Sequence, residues 1–422
     1  MVIRLPAASS APHPAVFMFL ITPFGVMSGY LSVTIVYLLT QAGVSVDASA
    51  TLVALSYIPH SWKFLWAPIA DTTLTRRKWY LIAAVVSALG IYATAAVPAE
   101  SDSLPVLTII VLVSNVAVTF LAMAVESLMA YCAPDDAKGR AGGWFQAGNL
   151  GGYGLGGGAG LWLAQVVPPA WLGGAILAVA CLLCSAALAF VSEPPAPAHA
   201  ESYRRTLIAL IKDLWRVARS RRGYLALLIC FLPIGTGAAS NLWSAVADEW
   251  HASASTVALV TGVIGGIVSA VGCLVGGYLC DRMDRKLAYA LYGVMLGGCA
   301  AAMALAPRTE TMYVVFTMVY AFLNGFTYAA FSAVVLEAIG QGAAATKYSL
   351  FASLSNMPIG YMTAVDGWAA ARWGGSGMLY VEAAIGVVAV VFFAGVAALA
   401  GRSGSTAEAT RNEPSTIGGT PG

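Results

Sequence analysis

The sequence predicts an all-α polytopic membrane protein of twelve transmembrane helices in two six-helix, pseudo-symmetric halves. The first observation is composition: of 422 residues, 59% are hydrophobic and only 10% charged, against about 25% charged in a soluble domain. The second is length, because apolar runs recur at the roughly 20 residues that an α-helix needs to cross a bilayer core of about 30 Å. The third is internal repetition, with landmarks of the first half returning about 210 positions later. A soluble enzyme is excluded by the shortage of polar surface. A β-barrel is excluded because the runs are too long for tilted strands and lack period-two alternation.

Taken in order, the spans are expected at approximately 15–40, 48–70, 79–98, 105–132, 142–166 and 170–191, then 223–248, 255–280, 287–306, 311–338, 347–371 and 376–400. The first is an uncharged run longer than the core of a signal peptide, so it is expected to remain as an anchor. The second carries His60 and Lys63 and closes on Asp71; the third follows Arg76-Arg77-Lys78; the fourth holds Asn115 and Glu126. The fifth is rich in glycine, and the sixth contains the pair Cys181 and Cys184 inside an uncharged stretch, where packing is expected rather than zinc. All seven cysteines fall in or beside apolar segments, so no disulfide framework is expected. The seventh span contains Pro233, the eighth closes on Asp281, and the ninth follows Arg285-Lys286. The tenth holds Asn324 and Glu337, and the eleventh Lys347, Pro358 and Asp366. Pro23, Pro59, Pro233 and Pro358 are expected to kink helices where freed carbonyls line a cavity.

Nineteen of the 22 Lys and Arg residues fall on alternate loops together with both termini, while Arg308 and Arg372 lie on the other side and Lys63 within a helix. The positive-inside rule then places both termini in the cytoplasm of a cell inner (plasma) membrane protein. The domain plan is a cytoplasmic N-terminus over 1–14, a first half over 15–191, a linker over 192–222, a second half over 223–400 and a disordered tail over 401–422. Apolar and basic residues alternate at helical spacing from Tyr203 to Ser220, so the linker is expected to lay an amphipathic helix on the cytoplasmic membrane surface.

Pro23-Phe24-Gly25 returns as Pro233-Ile234-Gly235, Asp71 as Asp281, and Glu126 as Glu337. Six plus six helices related by an axis along the membrane normal place a solute site near the bilayer midplane, between halves that rock. Gly277-x-x-x-Asp281-Arg282-x-Asp284-Arg285-Lys286 resembles the inner-loop signature of the major facilitator superfamily. The first copy is degenerate, with Asp71 followed by Thr72 and only later by Arg76 and Arg77. Ser192-Glu193-Pro194-Pro195 is similar to a short motif that follows the sixth helix in that superfamily. The resemblance implies a gating role: Asp71 and Asp281 pair with guanidinium groups and cap neighbouring helix N-termini, holding the inner face closed.

Trp62-Lys63-Phe64-Leu65-Trp66-Ala67-Pro68-Ile69-Ala70-Asp71 resembles the peptide/acetyl-CoA transporter branch of that superfamily, to which the AmpG-like muropeptide permeases belong. Ala345-Thr346-Lys347-Tyr348-Ser349-Leu350 is similar to the start of that branch's eleventh helix. The fourth helix departs from the pattern, keeping Glu126 but holding Ala122 where the branch often has a second acid. That branch also includes siderophore permeases and acetyl-CoA carriers, so the resemblance implies mechanism more sharply than cargo.

Ionisable side chains inside a membrane helix cost at least about 2.5 kcal/mol on insertion scales and therefore ask for a reason. Lys63 suits a carboxylate or phosphate of a solute, with His60 on the same helix face as a proton carrier, and snorkelling or an ion pair is the plain alternative for Lys63. Glu126 and Glu337 are candidates for a proton or solute site, with a structural ion pair as the alternative. Tyr30, Asn115, Asn149 and Asn324 offer aromatic or amide contacts to a solute, or interhelical glue. Asp248, Glu249 and Asp366 sit near outer span ends, where interfacial solvation accounts for them. Gly152, Gly156 and Gly160, with Gly262/Gly266 and Gly272/Gly276, make flat faces for close packing and sliding.

No phosphate-binding P-loop, metal set or nucleophile–base pair is present, so no catalysis, no cofactor and no metal are expected. The expected function is secondary active transport by alternating access, with proton-coupled import of an organic solute such as an anhydro-muropeptide. Siderophore import is the alternative cargo, and a transport-inactive membrane sensor is the alternative class. The expected partners are a small-molecule solute, H⁺ and the lipid bilayer, with no nucleic acid and a monomeric state.

Overall fold

The computed structural model describes residues 12–192, 208, 211–212, 215–216, 218–339 and 344–411, and among them every regular element is helical. Among the described residues, eight helical stretches are long and apolar enough to cross a membrane. One of these carries two spans, because Gly374 leaves the helix at φ 68° and ψ −173°. The second, fifth and seventh spans complete the twelve: the second is interrupted at Lys63, the fifth is glycine-rich, and the seventh stops at Leu232.

The interruptions follow from sequence. The first span runs Ala15–Gln41 and stays helical through Pro23, widening to a π turn over Tyr30–Ile35. Its counterpart ends at Phe231; the chain then passes Pro233, takes left-handed Gly235 (φ 58°) and Gly237 (φ 69°), and resumes as a 3₁₀ turn at Ala238–Leu242. Two glycines free to adopt positive φ turn the proline kink of the first half into a full break in the second. The eleventh span begins at Ala344, and the last helix is described as far as Arg411, entering the stretch read from sequence as an unordered tail. Residues 412–422, most of the linker helix, and Glu193-Pro194-Pro195 lie outside the described residues. At the described linker positions, Ile208, Ile211 and Trp215 are helical and exposed, at spacings that share one face.

Outward-facing apolar side chains sheathe the bundle, including Ile109, Leu183, Phe190, Leu305 and Val388, each more than 60% exposed. Such a continuous apolar exterior is compatible with lipid and not with water. Inside, the first span packs on the fifth, and the third on the fourth and sixth; the eighth packs on the tenth, and the ninth on the tenth and twelfth. Across the halves the fifth span meets the eighth and tenth, and the eleventh meets the second and fourth.

The core shows which end is shut. Toward the end that bears the basic loops, one continuous apolar cluster joins the halves, from Phe17, Leu128 and Phe145 to Tyr289, Val334 and Phe351. Toward the other end each half has its own core, one around Tyr30, Ile91 and Val111 and one around Trp243, Trp250 and Tyr313. The apolar core is continuous across the halves at the basic end and divided at the opposite end, where contact across the halves narrows to the fifth and eighth spans, as at Gly158 against Val263.

Close backbone approach holds the first and fifth spans. A Cβ on Gly156 would lie 2.1 Å from the Val26 carbonyl oxygen, and one on Gly25 would lie 2.1 Å from that of Asn149. Gly156→Ala is therefore expected to lower the thermal midpoint of the purified protein, since overpacking costs roughly 1–3 kcal/mol; an unchanged midpoint would show a seam able to give way. The seam that crosses the halves uses other glycines: Gly154 against Gly266, and Gly139 and Gly143 against Gly277. Gly272 and Gly276 instead meet the tenth span within the second half.

Candidate functional site

Between the halves lies a cavity of about 850 Å³. Its floor is polar. Lys63 ends the long helix of the second span, where Pro59 and the 3₁₀ turn Lys63–Leu65 re-aim the chain inward, and its Nζ lies 2.6 Å from Oε1 of Glu126 on the fourth span. Both side chains are buried, and Ser349 of the eleventh span donates to the other Glu126 oxygen at 3.4 Å. Thus the pair in the first half is touched by a hydroxyl of the second half. The pairing also accounts for two charges in a membrane interior, where neither is tolerable alone.

A second polar chain crosses the floor. Asn149 donates to Gln146 Oε1 at 3.0 Å, Gln146 donates to Ser332 Oγ at 2.8 Å, and Tyr348 donates to the same Oγ at 2.9 Å. His60 lines the cavity, with its Nε2 2.8 Å from Asn115 Oδ1 and its ring edge-on to Phe24 at 5.0 Å. The upper wall presents aromatic and amide groups, among them Tyr57, Tyr153, Trp243, Asn241, Asn324 and Asn356.

Four of the candidates read from sequence as solute or proton contacts, Lys63, His60, Glu126 and Asn149, meet around the floor, and Asn324 lies on the opposite wall. Asn115 sits one layer behind, holding His60 while its amide donates to the Val111 carbonyl. Tyr30 lies elsewhere, buried against Gly160 in the core of the first half and beside a separate, smaller pocket. Glu337 also leaves the cavity: it is held by Arg285 at 3.0 Å and Lys286 at 3.2 Å at the basic end. The 211-residue offset places Glu126 and Glu337 at matching heights, but only Glu126 faces a cation of the cavity wall. Sequence reasoning passed over Gln146, Ser332 and Ser349, because neutral polar residues in membrane helices carry no periodic signal; only the run through Tyr348-Ser349 marked that stretch. It also assigned Asp366 to an interfacial position, whereas the side chain is wholly buried; the inward face of the eleventh span carries it into the core of the second half. Asp248 and Glu249 are exposed.

Below the floor the halves are latched twice. Asp71 accepts from the Ala345 and Thr346 amides at 3.3 and 2.8 Å and from the Thr346 hydroxyl at 2.7 Å, at the N-terminus of the eleventh span. Asp281 accepts from the Gly139 and Arg140 amides at 2.6 and 2.9 Å and from Arg140 Nε at 3.0 Å, at the N-terminus of the fifth. In each case a carboxylate of one half satisfies the free amides and positive end of a helix in the other. Arg285 reaches from the ninth span to the Asp135 carbonyl, adding a third cross-half contact. Arg76 donates to Ser127 Oγ and lies over the Tyr131 ring, Arg77 donates to the Leu188 carbonyl, and Arg282 lies over Tyr278. Through these contacts each of the three braces its own half.

A two-half bundle with its cavity at the seam and its acid latches on opposing helix N-termini invites comparison with known proteins. The family model of the Major Facilitator Superfamily matches residues 15–363. The anhydromuropeptide permease of Escherichia coli strain K12 is 26% identical over 344 residues, covering 75% of this chain and 66% of that one. The match thus spans just under two thirds of that relative's length. Among solved structures, the E. coli fucose:proton symporter FucP superposes with a TM-score of 0.67 at 15% identity, over 90% of this chain and 98% of that one. The proton:xylose symporter XylE superposes with a TM-score of 0.63 at 16% identity, over 89% and 94%. These likenesses establish the twelve-helix, two-half fold, and with the family match they show that the chain belongs to the Major Facilitator Superfamily, as a multi-pass membrane transporter and not an enzyme.

Proposed function

We propose that this protein is a proton-coupled importer of anhydromuropeptides, set in a cell inner membrane with both termini in the cytoplasm. The observation that carries the reading is the buried Lys63–Glu126 pair on the floor of a large seam cavity. At about 850 Å³ the cavity lies near the top of the roughly 300–1,000 Å³ range for small-molecule sites, which suits a glycopeptide better than a single sugar. Aromatic rings offer faces to sugar rings, and Asn149, Asn241, Asn324 and Asn356 offer both donors and acceptors to amides and hydroxyls. The similarity to a permease named for anhydromuropeptides supports the cargo, and the two fold neighbours named as proton symporters agree with the coupling.

The pair supplies a physical route to coupling. Lys63 neutralises Glu126 across 2.6 Å. A solute carboxylate competes for the same ammonium group, and Glu126 stripped of its partner is too costly to leave ionised in the membrane interior unless it takes up a proton. Anion and proton therefore load together, and the loaded site is again neutral. Because the basic end is read as cytoplasmic, the latched end faces the cytosol and loading takes place from outside, which suits import.

Uptake of labelled anhydromuropeptide into proteoliposomes, with and without an inward proton gradient, tests this. The expected result is accumulation that rises with the gradient and is lost in Glu126→Gln. Transport of a ferric siderophore in its place would keep the mechanism and replace the cargo, while no gradient dependence for any solute would remove the coupling.

A further inference from the structure

Two carboxyl groups lie buried in the second half, remote from the Lys63–Glu126 pair. Asp366 of the eleventh span is 0% exposed, and neither of its oxygens has a hydrogen-bond partner. Glu382 of the twelfth span is 7% exposed; its Oε1 accepts from the Tyr320 hydroxyl of the tenth span, and its Oε2 has no partner. The two carboxyls are near enough to act electrostatically on one another, and Tyr320 feels both. The other groups facing them are the Ala239 amide of the seventh span and the Cys299 thiol of the ninth.

No cation among the described residues bonds to either acid. The basic side chains of the same end are engaged elsewhere: Arg308 stacks on Trp250 at 3.7 Å and donates to Ser376, and Arg372 stacks on Trp368 at 4.4 Å. Two buried carboxylates without a counter-charge repel one another and forfeit hydration. A single proton relieves both problems, because it removes one of the two charges and with it their repulsion.

Tyr320 gives this pair an outlet. Its ring lines the central cavity, edge-on to Trp243 at 5.2 Å, while its hydroxyl holds Glu382. We propose that Asp366 and Glu382 form a second proton site, which between them holds one proton and exchanges it with the cavity past Tyr320. A metal ion is the poorer occupant, since hard cations take about six oxygen ligands, and no group of three or more His, Cys, Asp or Glu side chains suited to a metal occurs among the described residues. The site deepens the proton-coupled reading by adding a proton in the half opposite to Lys63. Its existence as a proton site is testable apart from that reading.

The solute-free arm uses infrared spectroscopy of the purified protein in lipid at neutral pH. A protonated-carboxyl C=O band is expected in the wild type, is expected to shift in Asp366→Asn and in Glu382→Gln, and is expected to be lost when both substitutions are combined. Both are near-isosteric, and because each is scored separately, misfolding of one leaves the other to decide. In Tyr320→Phe the band is expected to persist with slower hydrogen–deuterium exchange. A band unchanged in both acid variants overturns the proposal, as does a wild-type band abolished by sodium ions, which would make the pair a metal-cation site.

The flux arm measures protons carried per solute in proteoliposomes. Asp366→Asn is expected to keep gradient-free solute exchange and to carry one proton fewer per solute, and an unchanged ratio overturns the coupling role. If the wild type shows no gradient-driven uptake while the band still shifts in the single variants and disappears in the double variant, the coupled reading fails and the proton site stands.

Discussion

Replacing Lys63 by alanine is expected to abolish accumulation of an anionic solute and to destabilise the protein by about 3–5 kcal/mol, the usual cost of removing one partner of a buried ion pair. Here the penalty arises because Glu126, 2% exposed, would retain only the 3.4 Å contact from Ser349. Stability and binding separate in the double variant Lys63→Met with Glu126→Gln. With both charges gone, the desolvation penalty is gone too, and the thermal midpoint is expected to recover while uptake does not. Wild-type solute affinity in the double variant would reduce the pair to a structural ion pair. Glu126→Gln alone is expected to keep binding, with Lys63 free for the solute carboxylate, and to lose the response to a proton gradient.

Asp281→Asn acts at the other level, on the balance between conformations. The carboxylate accepts three hydrogen bonds from Gly139 and Arg140 across the seam. Hydrogen bonds to a charged group contribute about 1.5–3 kcal/mol each, and an asparagine amide would turn its NH₂ group toward one of the donors. A loss of about 2 kcal/mol, roughly 30-fold in the ratio of closed to open forms at the basic end, follows at 1.4 kcal/mol per tenfold. The cavity floor is untouched, so turnover is expected to fall with little change in solute affinity. Cysteine accessibility at the basic end should rise in parallel. A large loss of binding with normal turnover would contradict the latch. Asp71 still caps the eleventh span in this variant, so the expected result is a shifted equilibrium rather than a carrier fixed open.

Much of this molecule is legible as sequence because its solvent is lipid. Twenty-residue apolar runs, loops of alternating basic content and a 210-residue repeat each follow from the cost of placing polar groups in hydrocarbon, and that cost acts on local sequence. Lys63, Glu126, Asp71 and Asp281 stand out for the same reason, being ionisable residues within or at the ends of apolar segments. The repeat also misleads. It makes Glu126 and Glu337 equivalent, yet Arg285 and Lys286 draw Glu337 into the basic end. It matches Pro23 with Pro233, yet only the second sits next to glycines at positive φ.

What the sequence by itself determined is the class of solvent, the number of spans and the places where charge had to be explained, since these depend on composition and spacing along the chain. Only the tertiary structure decided the partners: Lys63 with Glu126 across 63 residues, Asp281 with the fifth span across 142, and Asp71 with the eleventh across 275. It also decided that Asp366 and Glu382, on separate helices, are buried within electrostatic reach of one another in the second half, with no cation bonded to either among the described residues. The energy of a buried charge is set by what lies within a few ångströms of it in space, and in a bundle of long helices those neighbours come from distant parts of the chain.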